Sequence, residues 1–452
     1  MLSEKQQIAV NFINKNNNRA IDADRAGLGK TYTVLSAIEN DNIHPTLIIC
    51  IKPGLYVWEN ELMKWFNQTS IIYTGNPKQR QLTLQEIQEK RPKYIIANYS
   101  FFNELMQLLT PRYFKTLVLD EYHMYGLLNR KTKMYESVKK VCKVIPHVIP
   151  ITGTPMRQTC ADYYPALSLV DPTNTEFKSF WRFVDKYCVK IKDMYGYKIE
   201  RLPANRYEFY DMLSKYVIRR TGDDQLPKKT RQPIPVEMSK EQRNMYTQLQ
   251  KEMILDYNGS LILTPNEMVK ILRCRQLLVS PETLDIKAPS GGIDAIIDIV
   301  KDEEEAVIIF TPFRNATHII DRHLKENIKS IQTFIIHGGM SQQQLRDAQE
   351  GFQSSPTKNK AVICTIKSGA SMTLTDAKVA IFLGYEWGAE DNNQAEGRIH
   401  RLTQDRPVRC LYLLYKNTPD EKIIQRLNDK QMAFDVSMPP EQYYEYLLDK
   451  KD

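Results

Sequence analysis

Two short segments at opposite ends of a 452-residue chain carry the residue types that handle a triphosphate. The first runs from Asp24 to Thr31 (DRAGLGKT), follows an apolar stretch and ends in Gly29-Lys30-Thr31. The backbone amides of such a loop, Gly27 and Gly29 among them, point inward at a phosphate, and the helix that the loop opens adds its dipole. Lys30 would reach the β- and γ-phosphates, while the Thr31 hydroxyl would hold magnesium. Asp24 stands where the strict phosphate-loop pattern has its first glycine. The second segment is GRIHR, Gly397 to Arg401, whose arginines 398 and 401 share one face if the stretch is helical. A phosphate-binding lysine near one end and paired arginines near the other suggest two lobes that close on one nucleotide.

The acidic partner of the loop stands at TLVLDEYH, 116–123, a β-branched run ending in adjacent carboxylates. At the carboxyl end of a strand, Asp120 suits a magnesium ligand and Glu121 a base positioning the attacking water. Thr152-Gly153-Thr154-Pro155 ends the next apolar run.

These residues need a scaffold, and its pattern is visible. TLIICI (46–51), YIIANY (94–99), TLVLD (116–120) and HVIPITG (147–153) alternate with helix-like stretches such as 56–66 and 131–141. That alternation predicts an α/β fold with a parallel sheet covered on both faces. From about Met156 to Ile293 the chain reads as mostly helical. The alternation resumes at 306–313, 331–338, 360–366, 378–385 and 408–415, and a helical tail is predicted from 416. The predicted divisions are 1–230, an ATPase lobe with a helical insertion; 231–290, a helical inter-lobe segment; and 291–452, a second lobe with its tail.

Composition narrows the class. The chain is 42% hydrophobic with a net charge of +8, which permits a polyanionic partner without demanding one. Its seven cysteines include no Cys-x-x-Cys pair, so a reducing cytoplasm is expected rather than zinc or disulfides. The first residues read as no signal peptide, and no apolar run approaches the roughly 20 residues of a membrane span.

Taken in order, the motifs resemble those of helicase superfamily two, and within it the Swi/Snf family of double-stranded-DNA translocases. LSEKQQIAVNFI (2–13) resembles the adenine-recognising element, with Gln6 at its glutamine. ADRAGLGKT (23–31), LIICIKPGLYVWENEL (47–62, with Trp58), DEYH (120–123) and TGTP (152–155) resemble motifs I, Ia, II and III. VIIFTPF (307–313), SGASMTLTDA (368–377) and QAEGRIHRLTQ (394–404) resemble motifs IV, V and VI, and YVIRRTGDDQLPKKT (216–230) resembles the arginine-pair segment between the lobes. Ser371 replaces a usual glycine of motif V, which bears on how hydrolysis couples to movement.

The resemblance implies two RecA-like lobes with ATP and magnesium between them. Gln6 and Arg19 would read the adenine, Gln394 would sense the nucleotide, and Arg398 and Arg401 would stabilise the transition state. Duplex DNA would meet Lys52, Asn98, Ser100, Arg130, Lys131, Arg314, Lys367, Ser368 and Thr373 through phosphate contacts that carry no sequence information. The leading reading is an ATP-dependent translocase on duplex DNA; the alternatives are a strand-separating or branch-migrating helicase, which a wedge element would mark, and an ATP-gated DNA-binding clamp or recruitment factor. A protein partner stays open as well. The composition is similar to phage or bacterial members, implying the cytoplasm of a prokaryote or an infected host.

Overall fold

The computed structural model describes residues 2–421 apart from 26, 53, 194–195, 221–226, 253, 258–259, 264–266, 370–371, 373, 387–388, 402–403, 405 and 419. The predicted tail beyond residue 421, Ser371 and Thr373 therefore lie outside the described residues. The described residues fall into two compact units, one before and one after 221–226.

The first unit opens on helix α1 (Glu4–Lys15), fixed at its start by a capping box. The Ser3 hydroxyl accepts from the Gln6 amide and the Gln6 carboxamide oxygen from the Ser3 amide. Its sheet contains β1 (Ile21–Asp22), β2 (Thr46–Cys50), β3 (Ser70–Tyr73), β4 (Tyr94–Asn98), β5 (Thr116–Asp120) and β6 (His147–Ile151). An antiparallel hairpin of β7 (Cys188–Asp193) and β8 (Gly196–Pro203) stands apart from it, and β9 (Val217–Ile218) completes the sheet. The order is β3-β4-β2-β5-β6-β1-β9, all parallel.

Parallel strands covered on both faces have no solvent side, which is why β2, β4 and β5 read as unbroken apolar runs. Alternate residues feed two cores. Leu47, Ile49, Leu117 and Leu119 enter one, and Ile48, Val118 and Ile149 the other. Helices α2 (Lys30–Asp41) and α3 (Gly54–Phe66) cover the second core, α3 burying Leu55, Trp58 and Leu62.

The second unit repeats the plan. Its sheet joins β10 (Lys229–Val236) with later strands, and a small hairpin pairs β11 (Ile254–Tyr257) with β12 (Ser260–Leu263). The later strands are β13 (Val307–Thr311), β14 (Gln332–Ile336), β15 (Lys360–Thr365), β16 (Val379–Leu383) and β17 (Val408–Tyr415). The order is β10-β17-β16-β13-β15-β14, again parallel.

The helical reading of 156–293 needs correction. Helices such as Phe180–Tyr187, Lys240–Glu252 and Glu267–Val279 are present, but so are both hairpins and β10. Pro233 and Pro235 mask β10 as a strand, and its edge position, bonded on one side only, is where a strand tolerates proline.

Candidate nucleotide site

The order β5-β6-β1 brings three carboxyl-terminal strand ends together in the first unit. From them run the loop 24–31, the Asp120-Glu121 pair and Thr152 to Pro155. Crevices outside such strand ends are where parallel α/β sheets place ligands.

Within the loop, the Lys30 ammonium donates to the carbonyls of Asp24 (3.0 Å) and Arg25 (3.3 Å), and α2 begins at Lys30. Gly29 holds a left-handed conformation at φ 76°. Any side chain there would also collide with Gln6, because a Cβ would stand 2.6 Å from its Nε2. That same Nε2 donates to the Leu28 carbonyl at 3.3 Å, so the capping box of α1 sets Gln6 directly against the phosphate loop. Thr31 follows Lys30 in the first turn of α2.

Asp24 has a structural role that its sequence position does not announce. It is fully buried, and Arg220, just past β9, gives it a backbone N–H (2.6 Å) and an Nε–H (2.7 Å) with a further contact from Nη2. Because β9 lies beside β1, the arginine pair 219–220 ties down the foot of the loop, and Arg219 adds a bond to the Ala23 carbonyl. Asp22 is buried next to Asp24, and burial together with that neighbour pushes its carboxyl well above the ordinary range.

Asp120 is held by the Trp58 indole N–H at 2.8 Å. Burial and the adjacent Glu121 push its carboxyl up to about 6, against the opposing pull of Trp58 and Lys30. Glu121 sits at φ 47°, a left-handed conformation rare outside glycine and found where function demands it. A polar chain from the next strand end fixes its carboxylate. The His123 Nδ1 lies 2.7 Å from the Thr152 hydroxyl, and that hydroxyl donates to Glu121 Oε2 at 3.4 Å. The Thr154 amide also donates to the Thr152 hydroxyl at 3.0 Å.

A nucleotide-bound magnesium needs only one or two carboxylates, since phosphates and water supply the rest. Asp120 fits that need: it is a half-buried carboxylate at a strand end whose charged form desolvation and the adjacent Glu121 disfavour, so a cation there would stabilise it. Among the described residues there is no cluster of three or more His, Cys, Asp or Glu side chains that could hold a metal.

Arg19 is not brought to this loop. It stands before β1, at the opposite end of the strand, and its guanidinium donates to the carbonyls of Cys142, Ile145, Pro146, Leu169 and Val170. The geometry gives it to the fold rather than to adenine.

In the second unit the helix Ala389–Glu396 carries Gln394 and stops short of the arginines. Arg398 and Arg401 therefore do not share a helical face; they lie in the turns that follow, where the Arg398 amide bonds Ala395 (3.0 Å). Arg401 Nε donates to the Gly397 carbonyl (3.1 Å) and Nη2 to that of Met372 (3.3 Å). Glu396 anchors the segment. Fully buried, it accepts from Lys229 Nζ (2.8 Å), from Arg231 Nε (2.7 Å) and from the Tyr412 hydroxyl. Burial works to raise its pKa, yet Lys229 and Arg231 hold it well below the usual carboxylate range. The Gln404 Nε2 adds donor bonds shared among the carbonyls of Thr375, Ala377 and Ile399, at 3.0–3.2 Å.

The candidate nucleic-acid residues also gather at strand ends. Lys52 follows β2, and Asn98 and Ser100 end and follow the adjacent β4. Asn98 is buried and spends its side chain on the Cys50 carbonyl and the Ser100 amide. Arg130 stacks over Phe180 at 4.4 Å, beside an exposed Lys131. In the second unit, Arg314 follows β13, and Lys367 and Ser368 follow the adjacent β15, with Lys367 3.5 Å from Glu386. Sequence reasoning missed Arg220, Lys229, Arg231 and Glu396 as site supports; the basic ones fall in or beside the 216–230 segment, which is the signal that could have pointed to them.

Two parallel α/β units, one with a phosphate loop and acidic strand end, the other with an arginine element, define a helicase-type ATPase core. Residues 5–282 match the model of the SNF2-related domain and residues 291–403 that of the helicase conserved C-terminal domain. The chain belongs to the SNF2-related family of helicase superfamily two. It is 25% identical over 431 residues to the SWI/SNF-related matrix-associated actin-dependent regulator of chromatin subfamily A-like protein 1 of Drosophila melanogaster, covering 94% of this chain and 54% of that protein. It is 26% identical over 455 residues to an uncharacterised ATP-dependent helicase of Mycoplasma pneumoniae, covering 95% and 41%. Against the solved Sulfolobus solfataricus SWI2/SNF2 ATPase core in complex with dsDNA it is 22% identical with a TM-score of 0.45, covering 98% and 96%. The chain thus spans about half, or less, of the length of the curated relatives it matches.

Proposed function

We propose that the chain is an ATP-dependent translocase on double-stranded DNA. The observation that carries this reading is the convergence of Lys30, Asp120, Glu121 and Thr152 on adjacent strand ends in a chain of this family. The loop amides and Lys30 bind the phosphates, and Gln6, lodged against the loop, reads the adenine. Thr31 and Asp120 would hold magnesium, which when bound neutralises charge on the phosphates. Glu121, aimed by Thr152 and His123, orients the attacking water and takes its proton.

Arg398 and Arg401 meet the γ-phosphate when the second unit closes on the first, stabilising charge that develops in the transition state. Gln394 senses the nucleotide. Lys52, Ser100, Lys131, Arg314, Lys367 and Ser368 bind backbone phosphates of a duplex. The reading is tested by the ATPase rate with no nucleic acid, single-stranded DNA, duplex DNA and RNA. Duplex should stimulate most; equal rates in all four would contradict the reading.

A further inference from the structure

The hairpin β7–β8 forms a two-stranded sheet of its own between the helices Phe180–Tyr187 and Arg206–Ser214. Its register sets Lys190 opposite Ile199 and Lys192 opposite Tyr197 on one face, with Ile191 opposite Lys198 on the other. An isolated two-stranded hairpin is marginal by itself. Here it also leaves Tyr197 60% exposed on the first face and Ile191 48% exposed on the second.

From Lys178 to Pro203 there are seven basic and three acidic residues; Lys186 pairs with Glu176 and Lys190 with Asp185, and the hairpin also carries the exposed Lys192 and Lys198. Lys190, 5.4 Å from the centroid of the Tyr197 ring, is ion-paired with Asp185, and the exposed Lys192, directly opposite Tyr197, shares the face of the ring. An exposed ring beside a lysine suits an unpaired strand, whose phosphates need neutralising and whose bases offer a face to stack on. A duplex keeps its bases stacked inside and gives Tyr197 nothing to cover it. The root of the hairpin is well anchored: the buried Cys188 thiol lies 3.3 Å from that of Cys160, in the segment continuing from Thr154-Pro155. The ends of the nucleotide site and of the hairpin are therefore joined by a short, packed connection.

We infer that the β7–β8 hairpin binds the unpaired strand at a DNA junction, giving the motor a preference for forked over blunt duplex. This rests on the translocase reading above. The test uses the full chain, a fork and a blunt duplex of equal duplex length, and the variants Tyr197→Ala and Lys192→Glu. Wild type should bind the fork roughly tenfold more tightly, about the effect of one stacked base, and 2-aminopurine at the first unpaired position should be quenched on binding. Both variants should lose the preference and Tyr197→Ala the quenching, while duplex-stimulated ATPase is kept. Equal wild-type binding to fork and duplex, or quenching that survives Tyr197→Ala, overturns the inference and leaves the surface to a protein partner. Absence of any DNA-stimulated turnover in wild type overturns the translocase reading itself, and this inference with it.

Discussion

Lys30 and Glu121 sit in one site and should fail in different ways. Lys30→Ala removes the cation facing the phosphates, so ATP binding weakens and turnover is lost. Glu121→Gln keeps shape and neighbours but cannot take a proton, so ATP should bind near normally with turnover reduced at least 100-fold. Equilibrium binding of a fluorescent ATP analogue, measured beside steady-state hydrolysis, separates the two. Near-normal turnover in Glu121→Gln would remove Glu121 from the role of base.

Asp120 carries a pH dependence of definite sign. Its folded-state pKa, pushed up to about 6, lies above the ordinary value of 3.8, so the folded protein binds that proton more tightly than the unfolded chain does. Charging it therefore costs stability as pH rises from about 4 to about 6, on the order of 3 kcal/mol once complete. Asp120→Asn should raise the melting temperature of the nucleotide-free protein at pH 8 and about half as much at pH 5, while abolishing magnesium-dependent turnover. Thermal melts at the two pH values check this. Equal shifts at both would show that Asp120 titrates normally. Trp58→Phe removes the N–H that favours the carboxylate, so the acid limb of the rate profile should move to higher pH.

At the scale of elements, the segment bearing Arg398 and Arg401 depends on a buried carboxylate. Glu396→Gln leaves Lys229 and Arg231 without their counter-charge, a loss of about 3 kcal/mol for a broken buried pair. Because the folded pKa is depressed, this stabilisation is present above the unfolded carboxylate pKa near 4.3 and fades as pH falls below it. Urea denaturation of wild type and Glu396→Gln at pH 7 should show the difference. An unchanged midpoint would mean that Lys229 and Arg231 do not anchor the segment.

The same scale shows what was legible in the sequence. β2, β4, β5, β13, β15 and β16 are covered on both faces, so burial wrote them as apolar runs readable without a structure. β10 is an edge strand with two prolines, and β7–β8 alternates lysine with isoleucine without a buried run. Neither carries the signal that strand reading relies on. The loop and the acidic pair were legible because their residues are contiguous. Arg220 on Asp24 and Arg231 on Glu396 were not, since partners 196 and 165 residues apart meet only through sheet order. Arg19 shows the converse error, a plausible charge that backbone carbonyls consume.

For the whole molecule, the account requires two units to act on one nucleotide. Arg398→Ala and Arg401→Ala should each lower turnover about 1000-fold or more, the scale of an arginine that stabilises phosphoryl transfer. Nucleotide binding to the first unit should persist, as judged by the same fluorescent analogue. Unchanged turnover in both variants would leave the first unit to act alone. Duplex affinity should also fall steeply and without sequence preference as salt rises, because each phosphate contact releases counterions.

The central claim is movement along duplex DNA driven by hydrolysis, and displacement of a third strand wound on a duplex measures it most directly. Wild type with ATP and magnesium should strip the third strand while leaving the duplex beneath it paired. Glu121→Gln, and wild type with a non-hydrolysable ATP analogue, should bind the same DNA and leave the third strand in place. If wild type hydrolyses ATP on this substrate without displacing the strand, or if Glu121→Gln displaces it equally well, the translocase account is contradicted.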